Sequence, residues 1–101
     1  MKFNNKIYDI HEISNFREMI DATIERYPNN IAYKFKKNLG KKNEYVEEKT
    51  YTEIKSEIES LSTSLLDLGL ENKKVVVIGN NRYEWCVSYL AITTGNMIVV
   101  P

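Results

Sequence analysis

The sequence is poor in the residues from which most reactive sites are built. It has one cysteine, Cys86, and one histidine, His11, among 101 residues. A single thiol excludes an internal disulfide and any cysteine-rich metal site. Cys–His nucleophilic chemistry is disfavoured too, since the two residues lie far apart in sequence and no third group is in view to orient the base. Fourteen basic residues balance fourteen acidic ones. The basic surplus that displaces counterions from nucleic acid is therefore missing, and no nucleic-acid partner is expected. There is no run of about 18 apolar residues to span a membrane. Met1 to His11 lacks the apolar stretch of a secretory leader, so the expected location is cytoplasmic. No internal repeat or low-complexity tract stands out.

What is present is a patterned α/β sequence of a size for one small domain at most. Residues 1–13 form an ill-defined lead-in. Ser14 is an N-cap candidate for a helix over 14–28, with Phe16, Met19, Ile20, Ile24 and Tyr27 at spacings of three and four and Pro28 as its stop. Residues 31–50 read as a β-hairpin. Ile31, Tyr33 and Phe35 alternate with Ala32, Lys34 and Lys36, and a polar loop containing Gly40 leads to a second strand with Tyr45 and Val46 as its strongest members. A helix over 52–69 follows, with Thr52 as candidate cap. It carries Ile54, Ile58, Leu61, Leu65 and Leu68 on one stripe, leaves Glu53, Lys55, Glu57 and Glu59 elsewhere, and has Gly69 as its terminator.

Residues 74–101 change in kind. Val75-Val76-Val77-Ile78 is a β-branched run without alternation, the pattern of a strand buried on both faces of a parallel sheet. A helix from about Tyr83 to Thr93 and a second apolar strand, Met97 to Val100, complete a βαβ unit with an expected right-handed crossover. A parallel strand that reaches the last residue, Pro101, has no covering helix after it. The expectation is a fragment of a larger domain, of marginal stability or self-associating through the open sheet edge. The rival expectation is a complete, non-catalytic α/β binding module.

Four blocks, in order, are similar to the adenylate-forming enzymes. Thr50-Tyr51-Thr52-Glu53-Ile54 resembles a T-Y-x-E-L helix opening, and Leu66-Asp67-Leu68-Gly69-Leu70 an L-x-x-L-G-L helix end. Lys74 to Trp85 resembles a strand and turn ending N-R-P-E-W, and Tyr89 to Pro101 the Y-L-A…A-G-A-V-x-V-P that follows. Tyr83 stands where the family often has proline, and Thr94-Gly95-Asn96 replaces Ala-Gly-Ala; Asn96 suits a helix end because Asn tolerates the left-handed region. The N-R-x-E-W form and the charged hairpin most resemble the N-terminal part of AMP-forming long-chain fatty acid–CoA ligases. The resemblance implies a parent enzyme that joins a fatty acid to the α-phosphate of ATP, releases pyrophosphate and passes the acyl group to CoA, with Mg²⁺ offsetting phosphate charge. A peptide-synthetase adenylation domain or an aryl–CoA ligase are the alternatives within the superfamily.

The family's Y-T-S-G-T-T-G-x-P-K-G phosphate loop, ribose-binding Asp and catalytic Lys have no counterpart in these residues. No catalytic, cofactor-binding or metal-binding residue is therefore assigned, and no cofactor is expected on the fragment itself. Gly79-Asn80-Asn81 satisfies neither the dinucleotide fingerprint nor the P-loop pattern. Asn80, Asn81 and Arg82 follow the carboxyl end of a predicted parallel strand, where ligands sit in open α/β sheets. The simpler role is a loop that caps the next helix through Asn81. Trp85 and Tyr89, four apart, could line an acyl pocket or pack together. Arg82 and Glu84 are candidates for ion pairs. Cys86 reads as a structural thiol and His11 as a surface residue. Lys34, Lys36, Lys37, Lys41 and Lys42 form a basic cluster that reads as a solvated strand edge, with contact to an anionic membrane as the other reading.

Overall fold

The computed structural model describes residues 12–101; His11 and the rest of the 1–11 segment lie outside the described residues. Seven elements follow in order: α1 (Phe16–Arg26), β1 (Ile31–Lys37), β2 (Tyr45–Thr50), α2 (Tyr51–Asp67), β3 (Lys74–Val76), α3 (Tyr83–Thr94) and β4 (Ile98–Val100). β1 and β2 pair antiparallel, and β3 and β4 pair parallel around α3. This is the expected α/β arrangement of hairpin, helices and βαβ unit.

Both candidate caps shift by a residue or two. Asn15, not Ser14, caps α1: its side-chain oxygen accepts from the Glu18 N–H, while the Glu18 carboxylate accepts from the Ser14 N–H. This is the reciprocal satisfaction of a capping box, displaced by one position. For α2 the cap is Thr50, which accepts from the Glu53 N–H. Thr52 lies inside the helix, where its N–H and its hydroxyl both donate to the Pro28 carbonyl, and the Tyr51 N–H donates to the Asn30 carbonyl. The first three donors of α2 thus all find partners, two of them on the turn after α1. That turn and the start of α2 are tied together by the backbone itself.

The stop of α2 is as the sequence predicts. Gly69 has φ +81°, its N–H donates to the Leu66 carbonyl, and the Leu70 N–H donates to the Leu65 carbonyl. That is a Schellman ending, which needs the left-handed conformation glycine adopts at no steric cost. Asn96, after α3, has φ +61°, as the tolerance of Asn for that region predicts.

The core lies where α2, α3 and the hairpin meet. Ile54, Ile58, Tyr83, Val87 and Ala91 are its buried members, with Ile20, Ala32, Tyr33, Phe35, Leu61 and Leu90 packed around them. Burying each such aliphatic side chain contributes about 1.5–3 kcal/mol. Gly95, at the end of α3, stands close against α2: a Cβ there would collide with the Ser62 hydroxyl, the Met97 methyl and the Ala91 carbonyl.

Two expectations for the apolar residues fail. Phe16, Tyr27 and Leu68 end their stripes and are exposed among the described residues. In the hairpin, a register irregularity between Ile31 and Tyr33 brings Ala32 inward and leaves Ile31 exposed, because an extra residue in one strand reverses the alternation. Tyr45 and Val46 are also exposed, and Glu47 and Lys49 take the more covered positions of β2.

The β-branched run is not buried on both faces. Val75, Val77 and Val99 are half-covered, whereas Val76, Ile78, Ile98 and Val100 are exposed, Ile78 to 90%. The physical reason is one of supply. A two-stranded ribbon has two faces, and α3 is the helix of the described residues that packs on it.

Candidate functional site

The loop after β3 is the first place to look, because β3 and β4 run parallel and present their carboxyl ends together. Here the Val77 N–H still donates to the Val100 carbonyl, and the chain then leaves the sheet. Gly79, Asn80, Asn81 and Arg82 are all exposed. Asn81 does not cap α3. The capping position falls on Arg82, which makes no side-chain cap bond, and the Arg82 N–H turns back to the Asn80 carbonyl.

The loop does not have the form of a phosphate cradle. A Cβ built on Gly79 would meet only the Trp85 ring, at an ordinary 3.8 Å. No close backbone approach therefore requires glycine there, unlike the glycine-rich turns that wrap a pyrophosphate. Among the described residues no group of three or more His, Cys, Asp or Glu side chains could hold a metal ion. Among the described residues, the Mg²⁺ that the resemblance implies therefore finds no fitting set of such ligands.

The flanking helix resolves the other candidates. Trp85 and Tyr89 stack on one another, ring centroids 5.4 Å apart. Glu84 pairs with Lys37 of β1, at 3.8 Å, not with Arg82. Cys86 is a free, half-buried thiol. The Cys86 thiol and, after it, burial push the Tyr33 phenol up to about 12. Three of the five clustered lysines have carboxylate partners: Lys34 with Glu48, Lys36 with Glu44, and Lys37 with Glu47 and Glu84.

The best-formed polar constellation is built around Glu57, a side chain that the sequence pattern left off the apolar stripe of α2. Glu57, on α2, accepts hydrogen bonds from the Tyr83 hydroxyl of α3 and from the Lys49 ammonium of β2, the latter at 3.0 Å. Lys49 also reaches Glu47 at 3.5 Å and lies 5.9 Å from the centre of the Tyr83 ring. That ring is stacked on Phe35 at 4.9 Å and meets Tyr33 edge-on at 5.4 Å.

The electrostatics follow from this geometry. Burial pushes the Glu57 carboxyl up, but the Tyr83 hydroxyl and the Lys49 ammonium outweigh it, and the carboxyl sits below its usual range. Burial first, and then the Glu57 carboxylate, push the Tyr83 phenol well above its ordinary value. The Glu57 hydrogen bond raises Lys49, against some desolvation. Each group is held in the protonation state it has at neutral pH, so the cluster clamps β2, α2 and α3 together and has no proton to exchange near neutrality. Tyr83 is the only member the sequence flagged, as the residue replacing a family proline. It occupies the first position of α3, where proline is favoured for its fixed φ. Here an aromatic anchor takes that place.

Comparison with known proteins supports the adenylate-forming part of the motif reading. No curated protein matches the chain. The family model described as AMP-binding enzyme matches residues 20–101, a span that contains all four motif blocks, the clamp and the βαβ unit. On that match the chain belongs to the AMP-binding enzyme family.

Proposed function

We propose that the chain is the opening segment of a larger ligase that activates a fatty acid with ATP, using Mg²⁺, to an acyl-adenylate and hands it to CoA. The segment's part is scaffold: the hairpin, its covering helices and the first βαβ of a larger sheet. The observation that carries the reading is the family match over residues 20–101, within which four motifs keep their order and spacing. The fatty-acid assignment is supported by the Asn81-Arg82-Tyr83-Glu84-Trp85 turn and the charged hairpin. In isolation the segment would associate through the open edges of β3 and β4 and the bare face beside them.

The test is ATP–pyrophosphate exchange, run on the 101-residue chain and on the product of the gene read on past Pro101, against fatty, aryl and amino acids. The chain alone is expected to be silent, and the extended protein to respond to fatty acids. Turnover by the chain alone would overturn the scaffold role. A response to amino acids or aryl acids instead would move the parent to a peptide-synthetase adenylation domain or an aryl–CoA ligase.

A further inference from the structure

The chain as a whole is neutral, but its charge is not evenly placed. Between Ile31 and Thr50 there are six lysines against three glutamates and no other charged side chain. The surplus is concentrated at the turn. Lys34, Lys36 and Lys37 have carboxylate partners, and Lys49 belongs to the clamp. Lys41 and Lys42, at the turn itself, are exposed and make no ion pair among the described residues.

Apolar groups stand beside them. Leu39 is 72% exposed at the tip, with Tyr45 and Val46 exposed at the start of β2. Leu39 is held there by the backbone. Its neighbours Asn38 and Gly40 both have positive φ, at +55° and +78°. The Lys41 N–H donates to the Asn38 carbonyl, the Glu44 N–H to the Lys41 carbonyl, and the Gly40 N–H to the Glu44 carboxylate. The turn is thus internally bonded and presents its apolar residue outward.

We infer that the hairpin tip, Leu39 with Lys41, Lys42, Tyr45 and Val46, is a docking surface for an anionic lipid bilayer. Ammonium groups at the tip meet lipid phosphates and carboxylates, while Leu39 and Val46 enter the headgroup boundary and Tyr45 lies at it. This division of labour between charge and a small apolar wedge is how peripheral proteins gain reversible binding. The β1 and β2 lysines suit the same interface, since their aliphatic stems can lie on apolar surface while their charges stay wet. This surface belongs to the hairpin alone, whatever reaction the protein serves.

The experiment is co-sedimentation of the 101-residue chain with vesicles of phosphatidylcholine alone and of phosphatidylcholine with about a third phosphatidylserine, at low and high salt. Binding to the anionic vesicles only, weakened by salt, is expected, because each lysine near such a surface is worth about fivefold in partitioning. K41E/K42E should lose at least the about 25-fold that two such lysines supply. Leu39→Ser should weaken binding severalfold, and Leu39→Trp should show blue-shifted emission with anionic vesicles. All three positions are exposed, and far-UV circular dichroism of each variant should match the parent. Equal binding to neutral vesicles, or full binding by K41E/K42E, would overturn the inference. So would capture by heparin or polyglutamate that is as tight as by the vesicles and indifferent to Leu39→Ser, since the tip would then be a general anion site.

Discussion

The two sheets of this molecule are built to different standards of completion. The hairpin is fastened on its inner side by aromatic stacking, by the Glu57 clamp and by the packing of α2 and α3. The β3–β4 ribbon carries the more apolar residues, yet three of them, Val76, Ile98 and Val100, face solvent. Composition and burial therefore run in opposite senses: the charged strand β2 is anchored, and the β-branched strand β3 is half bare. Apolar content states what a strand could bury, while the elements packed against it decide what it does bury.

That contrast can be tested from its strong end downward. The largest effect belongs to the α2–α3 contact, where Gly95→Val would place a branched side chain on the Ser62 hydroxyl and the Ala91 carbonyl. Ile58→Ala would empty a position that is 3% exposed. Each should cost about 2–5 kcal/mol in urea unfolding. An intact midpoint for either would mean that the core is not where the two helices meet.

Next comes the clamp. Tyr83→Phe keeps the stacked ring and removes the hydroxyl that bonds Glu57, and it should cost about 1.5–3 kcal/mol, the range for a bond to a charged group. Tyr83→Pro, which restores the residue common in the family, should cost more, because the ring between Phe35 and Tyr33 goes with it.

A pH titration reads the same cluster. The Glu57 carboxyl is depressed, so its stabilisation is present above the ordinary carboxylate pKa and is lost as pH falls through the lowered folded value. Tyr33, Tyr83 and Lys49 are raised, so theirs is present below the unfolded values near 10 and is lost as pH rises beyond them. Thermal unfolding followed against pH should show a midpoint falling on both sides, and Glu57→Gln should flatten the acid limb. Phenolate absorbance should show Tyr33 and Tyr83 ionising late.

The smallest effect is expected on the bare face. At concentrations where the chain is monomeric, Val76→Lys and Ile78→Lys should shift its stability by no more than about 0.5 kcal/mol, and at higher concentrations they should weaken its self-association. In the larger ligase proposed above, where this face would be covered, the same changes should be severely destabilising. A large loss in the chain alone would mean that the ribbon is already covered.

Much of the architecture was legible in the sequence. The βαβ order, the hairpin and the Gly69 and Asn96 helix ends rest on local rules, and the structure repeats them. Local rules were weaker at the helix starts. Asn15 and Thr50 displaced Ser14 and Thr52 because several residues in each stretch can cap, and the turn at Pro28 to Asn30 took Thr52 for another bond. The candidate site was less legible. Asn80, Asn81 and Arg82 were placed correctly as a loop at the strand ends, but nothing local told that Glu57 would be drawn from the polar side of α2 to meet Tyr83, 26 residues further on, and Lys49.

The sequence by itself determined the element types, their order and the family, because periodicity, turn chemistry and motif spacing are properties of neighbouring residues. Only the tertiary structure decided which faces are covered, that an acidic side chain on α2 joins three elements, and that the β-branched run keeps one side open. Those outcomes depend on what packs across space, and an isolated strand or helix has no means of specifying its partner.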